Sequence, residues 1–365
     1  MANRDSSSAL LLLILIATLV TACSPAQSGE NKQAERPQNI ILLIGDGMGL
    51  AQVSAGIVSS DEPLAFEEFN DIGLQKTSSL DKYVTDSGAS GTALATGEKT
   101  NNGHIAMSPK GDTLTTILEL AEQNGLATGL VSTSSILHAT PASFIAHNKD
   151  RHAYEELALD FLDTDVDVFI GGGLNSFSKR EDGRDLTEEL REKGYSVLTN
   201  LDEITEASSA PLAGFTAEEH NPSIPDGRGE MLPRSTETAL SLLSQNEKGF
   251  FLMVESSQID WGGHDNDQDY IISETLDFNK TIEAALKFAE THPNTLVIVT
   301  ADHETGGMGL NGGNLDKHTV ESGFTTGGHT GIMVPVFAKG PGSEQFRGIY
   351  ENTAIFEKMK MLYGF

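Results

Sequence analysis

Short apolar runs of strand length punctuate the chain, and the residues that close them are acids. Asn39 to Ile44 (NIILLI) leads into Gly45-Asp46-Gly47, which predicts a parallel strand buried on both faces with Asp46 at its C-terminal end. Leu114, Ile117, Leu118 and Ala121 follow the i, i+3, i+4, i+7 template of a helix that Gly125 stops before an apolar strand around Leu130. Gly249 to Val254 (GFFLMV) runs into Glu255. Ile282, Ala285, Leu286 and Ala289 repeat the helical spacing, and Pro293 precedes a strand from Leu296 to Thr300 that delivers Asp302-His303. Alternating strands and helices of this kind predict an open α/β sheet.

In such a sheet ligands bind outside the carboxyl ends of the strands, so Asp46, Glu255, Asp302 and His303 should converge there although they are far apart in sequence. A second set sits in loops. Asp260-x-x-x-His264 places an acid and an imidazole on one face of a turn, and His329 lies in TTGGHTG, where glycines let backbone approach an ion. Taken singly, Asp46 is a turn acid, Asp302-His303 a helix cap and Glu255 a partner for a buried arginine. Taken together, carboxylates and imidazoles at strand ends form a divalent-cation site, suited to zinc with magnesium beside it.

Charge sharpens this expectation. With 24 Lys and Arg against 53 Asp and Glu, the formal charge is −29, which repels a nucleic-acid backbone, so no nucleic-acid partner is expected. An anionic substrate needs local positive charge, and bound metal is its best supplier here. The 365 residues, 38% hydrophobic and with 37 glycines, are enough for one main domain with a large core. Ahead of it, the apolar stretch Ala9 to Val20 is too short to span a membrane and reads as an export signal. Val20-Thr21-Ala22-Cys23 resembles a bacterial lipobox, and Cys23 is the sole cysteine, so no disulfide within the chain is possible. The expectation is a lipoprotein signal at 1–22, a membrane anchor through lipidated Cys23, a polar tether at 23–38 and a catalytic domain at 39–365, on a protein exported to the bacterial envelope.

The motifs GDGMG (45–49), VTDSGASGTALATG (84–97), HATPASFIAH (138–147), DVFIGGG (167–173), VESSQIDWGGH (254–264), TADHETGG (300–307) and TTGGHTG (325–331) resemble, in order, those of bacterial alkaline phosphatases. The resemblance implies an α/β three-layer sandwich, with a central mostly parallel sheet flanked by helices, that hydrolyses phosphomonoesters. It further implies two zinc ions and one magnesium per subunit and a possible homodimer. One zinc would be held by Asp260, His264 and His329, and the other by Asp46, Asp302 and His303 with Ser87. The magnesium would lie between Asp46, Thr140 and Glu255. Ser87 would be the nucleophile, activated by zinc rather than by a histidine base, and would carry a phosphoserine intermediate. Arg151 would clamp two phosphate oxygens, with Asp86 orienting it. Three divalent ions bring roughly six positive charges against four carboxylates, leaving about two, to which Arg151 adds another.

Two positions depart from the best-known bacterial pattern, which often has Asp and Lys there. His138 is expected to act through a hydrogen bond behind the ligands, and Trp261 removes a cation near the phosphate, which puts magnesium affinity in doubt. Residues 174–235 match least well and are expected to form helix, loop and a surface excursion, a variable insertion without chemistry. His104, His147, His152, His220, His292 and His318 are expected at the surface. Two other functions remain open at this point: a phosphodiesterase built on the same metal core, and a metal- or phosphate-binding lipoprotein without catalysis. A sulfatase is excluded, because the only cysteine context, Cys23-Ser24-Pro25-Ala26-Gln27, lacks the arginine of the formylglycine signal.

Overall fold

The apolar runs become neighbours in one large sheet of the computed structural model, which describes residues 36–365. The expected leader at 1–22, Cys23 and most of the tether lie outside the described residues. In chain order the strands are β1 (Asn39–Gly45), β2 (Asp71–Lys76), β3 (Ala127–Ser135), β4 (Val168–Gly172), β5 (Ser196–Leu198), β6 (Leu212–Phe215), β7 (Phe250–Ser256), β8 (Thr295–Thr300), β9 (Glu304–Thr305), β10 (Gly309–Asn314), β11 (Thr319–Gly323), β12 (His329–Thr330), β13 (Val334–Lys339) and β14 (Gly348–Glu351). Ten of them form the sheet in the order β14-β2-β13-β8-β1-β7-β3-β4-β6-β5, parallel except where β13 runs against β2 and β8. β10–β11 and β9–β12 pair separately as antiparallel ribbons.

The central strands read as unbroken apolar runs because both their faces are covered. Ile40, Leu42 and Ile44 of β1 point into one buried layer and Ile41 and Leu43 into the other, so helices close the sheet from both sides as a three-layer α/β sandwich. Register then decides where the acids fall. Ile44 sits opposite Glu255 of β7 and Thr300 of β8, and Ser132 of β3 opposite the same Glu255. The C-terminal ends of β1, β3, β7 and β8 therefore line up along one edge, and the acids that follow or close these strands share it.

Two local readings change. The helix containing Ile117, Leu118 and Ala121 spans Ile117–Gln123, because Thr116 accepts from the Glu119 N–H while Glu119 reaches back to the Thr116 N–H. This capping box fixes the start, and Leu114 is left in the loop before it. Residues 174–235, expected as helix, loop and a surface excursion, do hold short helices but also add β5 and β6 to the sheet edge and bury Leu212, Ala213 and Phe215. Strands of three and four residues are too short to announce themselves by periodicity.

The same segment is tied to the long helix Gln268–Thr291 by a buried ion cluster. Arg228 donates to Glu274 Oε1 (3.2 Å) and to Asp277 Oδ2 (3.0 Å), and Glu274 Oε1 also accepts the Ile224 N–H (2.8 Å). Burial pushes both carboxyls up and the guanidinium opposes it. Arg228→Ala leaves two buried acids without their cation, and is expected to lower the unfolding free energy by about 3–5 kcal/mol, read from the urea midpoint.

Candidate active site

The helix Gln258–Asp265 puts Asp260 and His264 one turn apart on one face. His264 Nε2 lies 3.3 Å from Asp260 Oδ2, His329 Nε2 lies 3.5 Å from Asp260 Oδ1, and the two Nε2 atoms are 3.2 Å from each other. Each imidazole donates its other nitrogen to a backbone carbonyl, His264 Nδ1 to Gly327 (2.8 Å) and His329 Nδ1 to Thr85 (2.9 Å). A carbonyl only accepts, so both Nε2 lone pairs face the same point beside a carboxylate. Such an arrangement repels itself unless a positive charge sits between, and in the protein alone Asp260 lifts His264 to about 9. These three residues fit a divalent cation.

Asp46, Asp302 and His303 form the next group, all fully buried. His303 Nε2 is 3.1 Å from Asp302 Oδ2, 3.4 Å from Asp46 Oδ1 and 3.3 Å from Ser87 Oγ, while the Ser87 hydroxyl is directed at Asp46 Oδ2 (3.5 Å). Asp302 Oδ1 accepts the backbone N–H groups of Gly47 (3.2 Å) and His303 (2.9 Å), and among the described residues Oδ2 has no hydrogen bond. Burial raises the pKa of both acids, Asp302 to about 7, and their neighbours Asp260 and Glu255 add to the rise. Four donor groups, Ser87 among them, thus face one buried point where negative charge is uncompensated.

Glu255 closes a third group with Asp46 and His138, whose ligand atoms lie within 4.8 Å of one another. Ser132 and Ser257 donate to Glu255 Oε2 (2.6 and 2.7 Å), and Ser134 approaches the same oxygen at 3.4 Å. Among the described residues Oε1 has no hydrogen-bond partner, nor have the buried Thr140 Oγ1 and His138 Nδ1. His138, expected to act behind the ligands, brings a ring nitrogen within 4.8 Å of oxygens of Asp46 and Glu255. Burial and the nearby Arg151 push its imidazole down to about 3, which keeps it neutral and able to donate a lone pair. Trp261 meets it edge-on, with ring centroids 6.3 Å apart.

Arg151 arrives from the loop before the helix Tyr154–Asp163 and donates to Asp86 Oδ2 at 2.9 Å. Asp86 caps the helix Ser87–Thr96 through the Ala89 N–H (2.9 Å) and also accepts from Gly103 N (3.0 Å), so one acid orients both the arginine and the helix that begins with Ser87. Of the histidines expected at the surface, His152, His292 and His318 are exposed. His104 is half-buried against Thr100, and His147 bridges Glu119 (3.0 Å) and the Ala106 carbonyl (3.0 Å). His220 is half-buried beside His138 and Trp261. Isolated histidines in loops carry no sequence signal for such packing.

A family description built on alkaline phosphatases matches residues 37–320 and 314–364. The chain belongs to the alkaline phosphatase family. It is 34% identical to Alkaline phosphatase 3 of Bacillus subtilis, over 95% of this chain and 94% of that one. Identity to the streptomycin-6-phosphate phosphatase of Streptomyces griseus is 32%, over 95% of each. Among solved structures, alkaline phosphatase from the Antarctic bacterium TAB5 is similar with a TM-score of 0.86 and 43% identity, covering 90% of this chain and 98% of that one. A histidine-to-aspartate variant of that enzyme, with magnesium bound in its M3 site, is similar at 42% identity and a TM-score of 0.86, over 91% of this chain and 99% of that one. By membership the chain is an enzyme, a phosphomonoester hydrolase.

In this phosphatase, several residues that shape the site were not legible as single positions. Ser132, Ser134 and Ser257 hold Glu255, and Thr305 donates to Asp260 and faces His303 Nδ1 (3.3 Å). The polar run at 132–135 closing an apolar strand is the signal that would have found the first two. Gly47 shows why the glycines of the first motif matter: φ is +74°, and a Cβ there would stand 2.6 Å from Asp260 Cα. Gly47→Ala should shift Asp46 and Asp260 apart, lowering kcat/KM on nitrophenyl phosphate about 100-fold together with the zinc content. Unchanged values for both would show that the close approach is not needed.

Proposed function

We propose that this phosphatase transfers the phosphoryl group of a monoester to Ser87 and then hydrolyses the phosphoserine. The observation that carries the reading is the Ser87 hydroxyl facing Asp46 and His303, at the start of a helix and next to two further groups of inward-facing carboxylates and imidazoles. Two zinc ions would be held by Asp260, His264 and His329 and by Asp46, Asp302, His303 and Ser87. A magnesium would be held by Asp46, Glu255 and Thr140, with His138 adjacent. Bound divalent ions supply Lewis acidity, lowering the pKa of a hydroxyl and neutralising phosphoryl oxygens.

The chain's own residues do the rest. Ser87 Oγ attacks phosphorus in line, so that one O–P bond forms to serine while the bond to the leaving alcohol breaks. Arg151, held by Asp86, presents two N–H groups to the non-bridging oxygens, and the N-terminus of the helix Ser87–Thr96 adds its unpaired N–H groups. Water then attacks the phosphoserine from the opposite side, restoring the Ser87 hydroxyl and freeing phosphate. Two inversions give retention at phosphorus. Lack of a cation at Trp261 weakens the hold on product phosphate.

Ser87→Ala is expected to abolish phosphoserine formation in acid-quenched protein, and chelation to abolish turnover, restored by zinc with magnesium. A Ser87→Ala protein that still accumulates phosphoserine overturns the assignment. Equal rates on nitrophenyl phosphate and its diester would favour a phosphodiesterase instead. For export, the lipobox supports lipidation of Cys23. Cys23→Ala should release the protein from the membrane fraction and stop labelled acyl incorporation, and labelling that persists would refute the anchor.

A further inference from the structure

The chain after β6 returns to the C-terminal edge of the sheet and delivers His220 to β3. Ser135 N–H donates to His220 Nδ1 (3.0 Å), so that nitrogen holds the lone pair and the ring proton sits on Nε2. The ring lies edge-on to Trp261, with centroids 5.0 Å apart, and edge-on to His138 at 5.8 Å. His138 meets Trp261 edge-on as well, so the three rings are mutually perpendicular.

The backbone around His220 is arranged for this approach. Gly172 ends β4 in the motif DVFIGGG, and a Cβ there would stand 1.9 Å from the Glu219 carbonyl oxygen and 3.3 Å from His220 Cα. Only a glycine lets the segment pass so close. On the other side Gln258 Nε2 donates to the Asn221 carbonyl (2.8 Å), and Gln258 is itself fixed by Tyr270 Oη (2.7 Å). His220 is thereby held at both flanks.

What it holds is the turn that carries His138. The His138 N–H donates to the Ser135 carbonyl (2.8 Å), so the residue gripped by His220 begins that turn. Among the described residues His138 Nδ1 has no hydrogen-bond partner, and its Nε2 accepts one long bond, 3.5 Å, from the Arg151 guanidinium. Beside that long bond, packing against Trp261 and His220 fixes the rotation of the ring.

We propose that His220 is a positioning residue: by gripping Ser135 and setting its ring against Trp261 and His138, it aims His138 at Asp46 and Glu255 and so sets the affinity of that site for a divalent cation. The inference rests on reading Asp46 and Glu255 as a cation site. Partners that orient metal ligands typically control affinity by about 10–100-fold.

Trp261 is the only tryptophan, so its emission reports on this cluster directly. The experiment titrates Mg2+ into the zinc-equilibrated full-length protein, followed by Trp261 emission and by calorimetry. His220→Phe keeps the ring and loses the acceptor, and His220→Asn keeps an acceptor and loses the ring. Each is expected to raise the Kd for Mg2+ about 10-fold or more. In a His138→Ala background His220→Phe should change Kd less than about twofold, because the effect is transmitted through His138. An unchanged Kd in both single variants, or the same loss with and without His138, overturns the proposal and leaves His220 a packing residue. If Glu255→Gln leaves Mg2+ binding intact, the cation reading of the site fails and the proposal falls with it.

Discussion

Buried negative charge that the protein itself does not neutralise is the constraint around which this molecule is arranged. Asp46, Glu255, Asp260 and Asp302 are all buried, and Asp260 and Glu255 raise the cost of ionising Asp46 and Asp302. Three of them are tied on one side to the protein: Asp302 by backbone N–H groups, Glu255 by serine hydroxyls, Asp260 by Thr305. The other oxygen is left facing a shared space. A hydrogen bond to one oxygen fixes the direction of the other without cancelling its charge, which is the condition for a strong and oriented cation ligand.

The imidazoles obey the same rule. Carbonyls of Gly327 and Thr85 take the Nδ1 protons of His264 and His329, so the Nε2 lone pairs are committed to one point. Because these carbonyls come from loops on different parts of the chain, the tautomers are set by tertiary contacts. The ribbon of β9 and β12 brings His303 and His329 together, their rings stacked 3.6 Å apart at the centroids. Glu304 ties that ribbon to the helix Leu50–Val58 by accepting from Gln52 Nε2 (2.9 Å), which limits how far the ligands can spread.

A protein of charge −29 can nevertheless serve an anionic ester, since long-range repulsion is screened within about 10 Å at ordinary salt whereas bound ions act at contact. Arg151 works at the same short range. Its guanidinium is held in place by Asp86, the acid that also caps the helix of Ser87, so nucleophile and clamp share one anchor.

Strand ends carrying acids were legible because a doubly covered parallel strand must be continuously apolar, and any charge at its end stands out. Asp46, Glu255, Asp302 and His303 could be placed on one edge from that pattern, and their family motifs from residue order. The serines around Glu255, the pairing of Thr305, the strands β5 and β6 and the place of His220 were not, because short polar segments have no period and the Ser135 that His220 accepts from lies 85 positions away. By itself the sequence determined the layered α/β architecture and the chemical types gathered at one sheet edge, since both follow from local alternation and composition. Only the tertiary structure decided which oxygen or nitrogen of each side chain is held and which is free, because those choices depend on register between strands and on hydrogen bonds from distant loops.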